Sequence, residues 1–398
     1  MPRARDQLWA ILAVTLLVLL GCGDDKKAPP RVPPSDDANS GVDTRAPRSF
    51  LAYSKPKVRK DPRDGHVASL RGKNGAIAKL RVRSLGYPGY GTTGGQKWFG
   101  PGVTLPWGSI AQGTYTASIG FSGKDLSLVV WSRGGSWQAR VGRRTYPSEP
   151  APVGSGYAYH SLSLHFRGAK RRVVEFTLSH GAWVSALRTG RHDKTWLPPA
   201  RHIPSVYWLG DSFSTGAGAR HPGFTDLVQD AARRLRTENV TVDALGGTGY
   251  VKSNGAAKFP NFLTRARASL GSRKVRPDVV VVAGSINDTG YGSQQTRQAA
   301  AQLFAAVRKG APRAKVVVVP LTGSYPVSPA LSRAIDGVRR AAGDAPNVVG
   351  VFDLPRAAEA LGVEGLQRAD GHPTQRGHDL YGRLIAKFVA ERIPSLRR

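Results

Sequence analysis

Apolar positions recur along the chain in two rhythms. Between about residues 50 and 196 they alternate with polar ones: in AIAKLRVR, Ala76, Ala78, Leu80 and Val82 point one way while Lys79, Arg81 and Arg83 point the other. The same period of two runs through Tyr115, Ala117, Ile119 and Phe121, and through LSLVVW, YHSLSLHF and VVEFTL. Glycine-rich turns separate these runs and no helical period interrupts them, which predicts an all-β sandwich or jelly roll over 50–196. Beyond the proline-containing segment WLPPARHIP the rhythm lengthens. Apolar runs at SVYWLG, VTVDALG, DVVVVAG, AKVVVVPL and NVVGVFDL alternate with helical segments, clearest at FTDLVQDAARRLR, QTRQAAAQLFAAVRK, PALSRAIDGVRRA and GHDLYGRLIAKFVAERI. The first of these helices puts Phe224, Leu227, Val228, Ala231 and Leu235 on one face. Valine-rich strands alternating with helices predict, for 204–398, a parallel sheet covered on both faces. Ligands bind such sheets at the carboxyl ends of the strands.

The first 49 residues follow neither rhythm. Residues 1–21 read as an export signal: Arg3 and Arg5 precede LWAILAVTLLVLL, a run too short for a comfortable membrane span. That run ends in Leu19-Leu20-Gly21-Cys22, which resembles a bacterial lipobox, whose cysteine is lipidated and becomes the mature N-terminus. Cys22 is the only cysteine, so an intramolecular disulfide is excluded and an exported fold must rest on core burial. Residues 22–49 are rich in Pro, Asp and Lys and poor in large apolar side chains, which predicts a disordered tether. The expectation is a protein lipid-anchored to a bacterial membrane, on the cell surface or the periplasmic face.

Charge adds a class of partner. With 58 Lys and Arg against 27 Asp and Glu, the formal charge is +31, a field that attracts anionic lipid, acidic cell-surface polymer or nucleic acid. Export argues against nucleic acid. The arginines are scattered rather than clustered, so a basic solvated surface is an equally good reading. Trp98, Trp107, Trp131, Trp137 and Trp183 fall in the β region, where exposed rings would stack on sugars and buried ones would fill the core; the core is the expected place.

The chemistry gathers where strands end. Ser212, in GDSFS, follows the first strand of the parallel sheet, where its hydroxyl projects above the sheet edge and neighbouring N–H groups can face an oxyanion. The second strand ends in Gly246-Gly247-Thr248-Gly249, permissive backbone able to approach a substrate. The third is followed by Gly284-Ser285-Ile286-Asn287-Asp288, which offers a carboxamide donor, and the last loop reads Ala369-Asp370-Gly371-His372-Pro373-Thr374 before a final helix. Asp211 and Asp288 read as loop-fixing carboxylates, and His221 and His378 as structural histidines. No His, Asp, Glu or Cys grouping has metal-ligand spacing and no glycine loop has phosphate-binding form, so neither a metal nor a cofactor is expected.

Taken in order, these four motifs resemble the SGNH hydrolases, also called GDSL-type esterases, over about residue 205 to the C-terminus. The resemblance implies a flavodoxin-like α/β/α fold with a five-stranded parallel sheet, Ser212 as nucleophile and His372 as general base. It implies an oxyanion hole made by the Ser212 N–H, a glycine N–H and the Asn287 side chain. Gly249 is the favoured glycine, because the family's Gly-x-x-Gly ending maps onto Gly246 to Gly249; Gly247 is the alternative. Asp370 stands two residues before His372 where the family has three, so either this carboxylate or a backbone carbonyl orients the ring. Asn287 follows Gly284 by three residues, one more than is typical.

A β-sandwich before such a domain resembles the family 2 carbohydrate esterases in arrangement. The expected function is that of an exported serine esterase working through an acyl-enzyme on Ser212, with an acylated glycan carrying O-acetyl groups as substrate. Two other readings stand beside it. One is a lipase or thioesterase on acyl lipids; the other is a glycan-binding surface lipoprotein whose hydrolase domain has lost activity.

Overall fold

The computed structural model describes residues 114–396, apart from breaks at 133, 155–157, 180, 200–203, 238, 256–258 and 272–275. It also describes strands at 39–42, 50–60, 66–72, 77–83, 89–93 and 96–100. The 1–21 signal, Cys22, Trp107 and the side chain of Trp98 lie outside the described residues.

The alternation over 50–196 becomes two antiparallel layers with a shared core. One layer pairs Ala158–His165, Asp125–Ser132 and Ala182–Gly190; the other pairs Ile77–Arg83, Thr114–Ser122, Arg171–Ser179 and Ser136–Val141. Strand Phe50–Lys60 joins them, pairing with Ala182–Gly190 at its start and, from Tyr53 on, with His66–Gly72 across a register shift between Ser54 and Lys57. Leu126, Leu128 and Val130 of one layer meet Tyr115, Ile119, Phe121, Phe176 and Leu178 of the other, all buried, as the period of two requires. Trp137 lies in this core with its ring 6.4 Å from Phe176. Trp131 and Trp183, opposite each other in register, are also buried, their rings 4.9 Å apart. One expectation is corrected within 22–49. Asn39–Val42 is a strand on the edge of this sheet, paired with Leu162–His165. Edge pairing uses main-chain groups and needs no apolar side chains, so composition did not signal it.

The C-terminal half is a five-stranded parallel sheet: β1 (Ser205–Gly210), β2 (Asn239–Ala244), β3 (Val279–Gly284), β4 (Lys315–Pro320) and β5 (Val348–Val351), in the order β2-β1-β3-β4-β5. Alternate residues of each strand feed opposite layers. Val279, Val281 and Ala283 pack toward α1 (Leu227–Arg234), α5 (Leu354–Glu359) and α6 (Gln375–Arg392). Val280 and Val282 pack toward α2 (Phe262–Gly271), α3 (Ser293–Gly310) and α4 (Pro329–Gly343). Burial on both faces explains why these strands read as unbroken apolar runs. Strand β2 is an edge of the sheet, and the sandwich strand Thr114–Ser122 packs against it. Thr116 and Ser118 are buried there, and Thr114 Oγ1 donates to Gln229 Oε1 across 2.9 Å.

Candidate active site

Strand β1 ends at Gly210 because the chain must turn at once. A Cβ at Gly210 would lie 2.1 Å from Ser214 Oγ, which accepts from Trp208 Nε1 at 3.0 Å. The carbonyl of Asp211 accepts the N–H groups of Ser214 and Thr215, and its Oδ1 accepts that of Phe213 at 3.0 Å. This tight turn lifts Ser212 out of the sheet edge. The Ser212 carbonyl in turn accepts from Ala217 N–H and Thr215 Oγ1, which fixes the loop behind it.

From the other side comes the loop before α6. The Ser212 hydroxyl faces His372 Nε2 at 3.0 Å, although 160 residues separate the two. Gly371, at φ +81, makes the bend that aims the ring, and the His372 carbonyl is pinned by Arg368 N–H at 2.8 Å. Asp370 Oδ1 accepts the main-chain N–H of His372 at 3.1 Å and lies 3.4 Å from the ring Nδ1. The two-residue spacing thus brings the carboxylate beside the imidazole. The His372 N–H above all, helped by the imidazole and Arg368, holds the Asp370 carboxyl below the usual carboxylate range, against the opposing effect of burial. The carboxylate remains half exposed, at 51%.

The glycine loop and Asn287 lie beside Ser212. A Cβ on Gly246 would lie 3.6 Å from that of Ser212, so the glycine loop runs past this serine. The N–H groups of Ser212 and Gly247 have no acceptor among the described residues. Gly249 does not fill the expected role: its N–H donates to the Lys252 carbonyl at 2.9 Å. Its glycine identity has another cause, since a Cβ there would lie 2.3 Å from a carboxylate oxygen of Asp288. That buried carboxylate accepts the N–H groups of Tyr250, Val251 and Lys252 and holds the loop in shape. Asn287 Nδ2 donates to the Thr248 carbonyl at 3.0 Å, which leaves its second N–H free to point elsewhere. The extra residue before Asn287 is absorbed by Ser285, buried at φ +113 ahead of the single turn Ile286–Asp288.

Comparison with known proteins agrees with this geometry. A profile of the GDSL-like lipase/acylhydrolase family matches residues 208–380. Residues 208–380 form a GDSL-type domain. No curated protein matches the chain at a significant level. Among solved structures, a family two carbohydrate esterase from Clostridium thermocellum in complex with cellohexaose is similar at 16% identity and a TM-score of 0.54, covering 79% of this chain and 99% of that one. A family two carbohydrate esterase from Cellvibrio japonicus has 14% identity and a TM-score of 0.57, covering 86% of this chain and 98% of that one. A salicylyl-acyltransferase from a tetracycline biosynthetic pathway has 15% identity and a TM-score of 0.57, covering 85% and 98%. At these identities the likeness is one of fold, and it extends well beyond the GDSL domain into the sandwich.

Beneath the GDSL site lie polar residues that sequence reasoning passed over. Arg265 of α2 is fully buried: its Nη1 bonds the Asp243 carboxylate at 2.9 Å, and its Nη2 bonds the Gly210 carbonyl and Thr248 Oγ1. One guanidinium therefore ties the end of β1 to the glycine loop, whose Thr248 carbonyl holds Asn287. Asp243 also accepts the hydroxyls of Tyr207 and Ser269, so the carboxylate of the buried ion pair is well satisfied, while Arg265 Nε has no partner among the described residues. Gln375 latches the segment after the nucleophile to α6, accepting Arg220 N–H and Thr225 Oγ1 and donating to the Thr225 carbonyl. His378, read as structural, is buried between that same segment and α6. An arginine inside an apolar helix face was the one signal in the sequence that marked α2 as unusual.

Proposed function

We propose that the GDSL domain is a serine esterase that removes O-acetyl groups from a polysaccharide or another cell-surface glycan. The observation that carries this reading is the 3.0 Å contact between Ser212 Oγ and His372 Nε2 at the carboxyl edge of the sheet. The Ser212 oxygen attacks the ester carbonyl carbon while its proton passes to His372 Nε2. The oxyanion accepts from the Ser212 N–H, the Gly247 N–H and the free Asn287 N–H. Collapse of the adduct breaks the bond to the sugar oxygen, which takes the proton from His372 and leaves an acetyl ester on Ser212. Water then attacks this ester, giving a proton to His372, and acetate leaves as the serine is restored. Asp370 stabilises the imidazolium from 3.4 Å, and its exposure to solvent makes that help smaller than a buried carboxylate would give.

The glycan as substrate class is supported by the fold shared with carbohydrate esterases across both domains. The export signal and Cys22 support a site of action outside the cytoplasm, with the protein lipid-anchored to a bacterial membrane. There a chain of charge +31 meets acidic cell-surface polymer, which fits it as a partner.

The test uses the chain lacking residues 1–22 with acetylated xylan, acetylated peptidoglycan and p-nitrophenyl esters of increasing chain length. Acetate release is expected, falling by about a thousandfold or more in Ser212→Ala. Preference for long acyl chains would move the reading to a lipase or thioesterase. Full activity in Ser212→Ala would remove Ser212 as the nucleophile.

A further inference from the structure

His378 touches both halves of the catalytic pair at one remove. Its ring is fully buried at the start of α6, where its own N–H donates to the carbonyl of Thr374, two residues past His372. Nε2 faces the Ala217 carbonyl at 3.0 Å, and the N–H of Ala217 donates to the carbonyl of Ser212. On the opposite side, Nδ1 faces the main-chain N–H of Leu227, the first residue of α1, at 3.2 Å. A carbonyl only accepts and a main-chain N–H only donates, so these two contacts define one form of the ring: neutral, with hydrogen on Nε2. A proton on Nδ1 would meet the Leu227 N–H head-on.

We infer that His378 is a positioning residue that holds the nucleophile loop against the helix of the general base only while its ring is neutral. Charged groups face it from each element packed around it. Asp226, the buried cap of α1, and Asp379, next along α6, favour the cation, whereas His372 and the positive end of the α1 dipole oppose it. Burial outweighs the Ala217 carbonyl and the two carboxylates and lowers the affinity of His378 for a proton below that of an ordinary histidine. The folded state therefore binds this proton less readily than the unfolded chain. The support from His378 is complete above the ordinary histidine range and is lost as pH falls through the value in the folded state. Loss of the Leu227 bond frees the ring, then Ala217, then Ser212. Gln375, one turn earlier on the same helix, holds the same segment through an amide that does not titrate, so the loop loosens without detaching.

This inference rests on the esterase reading and predicts that His378 adds one ionisation, on the acid side of activity, to the one that a general base gives. The test is the pH dependence of kcat/KM for p-nitrophenyl acetate and of fluorophosphonate labelling at Ser212, on the full chain, with circular dichroism at each pH to exclude unfolding. In the wild type, log kcat/KM is expected to fall with a limiting slope of about two. His378→Gln keeps a donor for Ala217 and takes up no proton, so its slope should fall to about one. Asp226→Asn keeps an oxygen for the N–H groups of Val228 and Gln229, gives up the bond that Oδ2 accepts from the Gly223 N–H, and removes the charge that favours the His378 cation. It should move the second ionisation down by about half a pH unit or more, and this arm stands even where His378→Gln does not fold. A one-proton limb that neither substitution changes would overturn the role of His378 and leave the esterase intact. No labelling and no turnover in the wild type at any pH would overturn both.

Discussion

At the foot of the nucleophile turn, Asp211 is buried with Oδ1 bonded to the Phe213 N–H and Oδ2 without a partner among the described residues. Burial, with the nearby Asp288 charge in the same direction, pushes its pKa up to about 7, against the pull of the Phe213 N–H and Arg265. The folded state thus holds this proton more tightly than the unfolded chain. The stability it contributes is complete below the ordinary carboxyl value and is lost as pH rises toward 7. Asp211→Asn keeps the acceptor and removes the ionisation, so the stability difference between pH 5 and pH 8 should shrink by about 3 kcal/mol in urea melts. An unchanged difference would show that Asp211 is ionised throughout. Some residues of the site were legible because their type and place coincide: a serine just past a strand and a histidine just before a helix have few other reasons to stand there. Gly249 was not, since a glycine that makes room for a carboxylate and one that offers an N–H look alike in sequence.

Among the elements, the valine-rich strands were legible from their burial on both faces, and β1 begins and ends where its apolar run does. Helix α2 was not, because Arg265 interrupts its buried face and its partners, Asp243 and Thr248, lie in other elements. The approach of the Ser212 loop to the His372 loop was equally hidden, and Gly218 leaves no room between them. At φ +89, a Cβ on this residue would lie 2.1 Å from the Pro373 carbonyl. Gly218→Ala should push the two loops apart and lower kcat/KM on the order of a hundredfold, since a displacement near 1 Å is enough to do so. Steady-state kinetics on p-nitrophenyl acetate checks this. Unchanged turnover would mean that the two loops do not need their present spacing.

Across the whole molecule, the sandwich packs on the β2 edge of the parallel sheet through Thr114–Ser122, and Ser212 and His372 meet at the carboxyl ends of the strands. A sandwich was legible from its period of two, whereas its packing on the GDSL domain was not, because Thr116 and Ser118 look like solvent-facing positions. Central to the proposed esterase is a serine made nucleophilic by a histidine 160 residues further along the chain. Fluorophosphonate treatment followed by peptide mapping tests this directly. The expected result is a single covalent adduct on Ser212, absent from Ser212→Ala and formed about a thousandfold more slowly in His372→Ala. An intact protein without adduct, or an adduct on another residue, would contradict it.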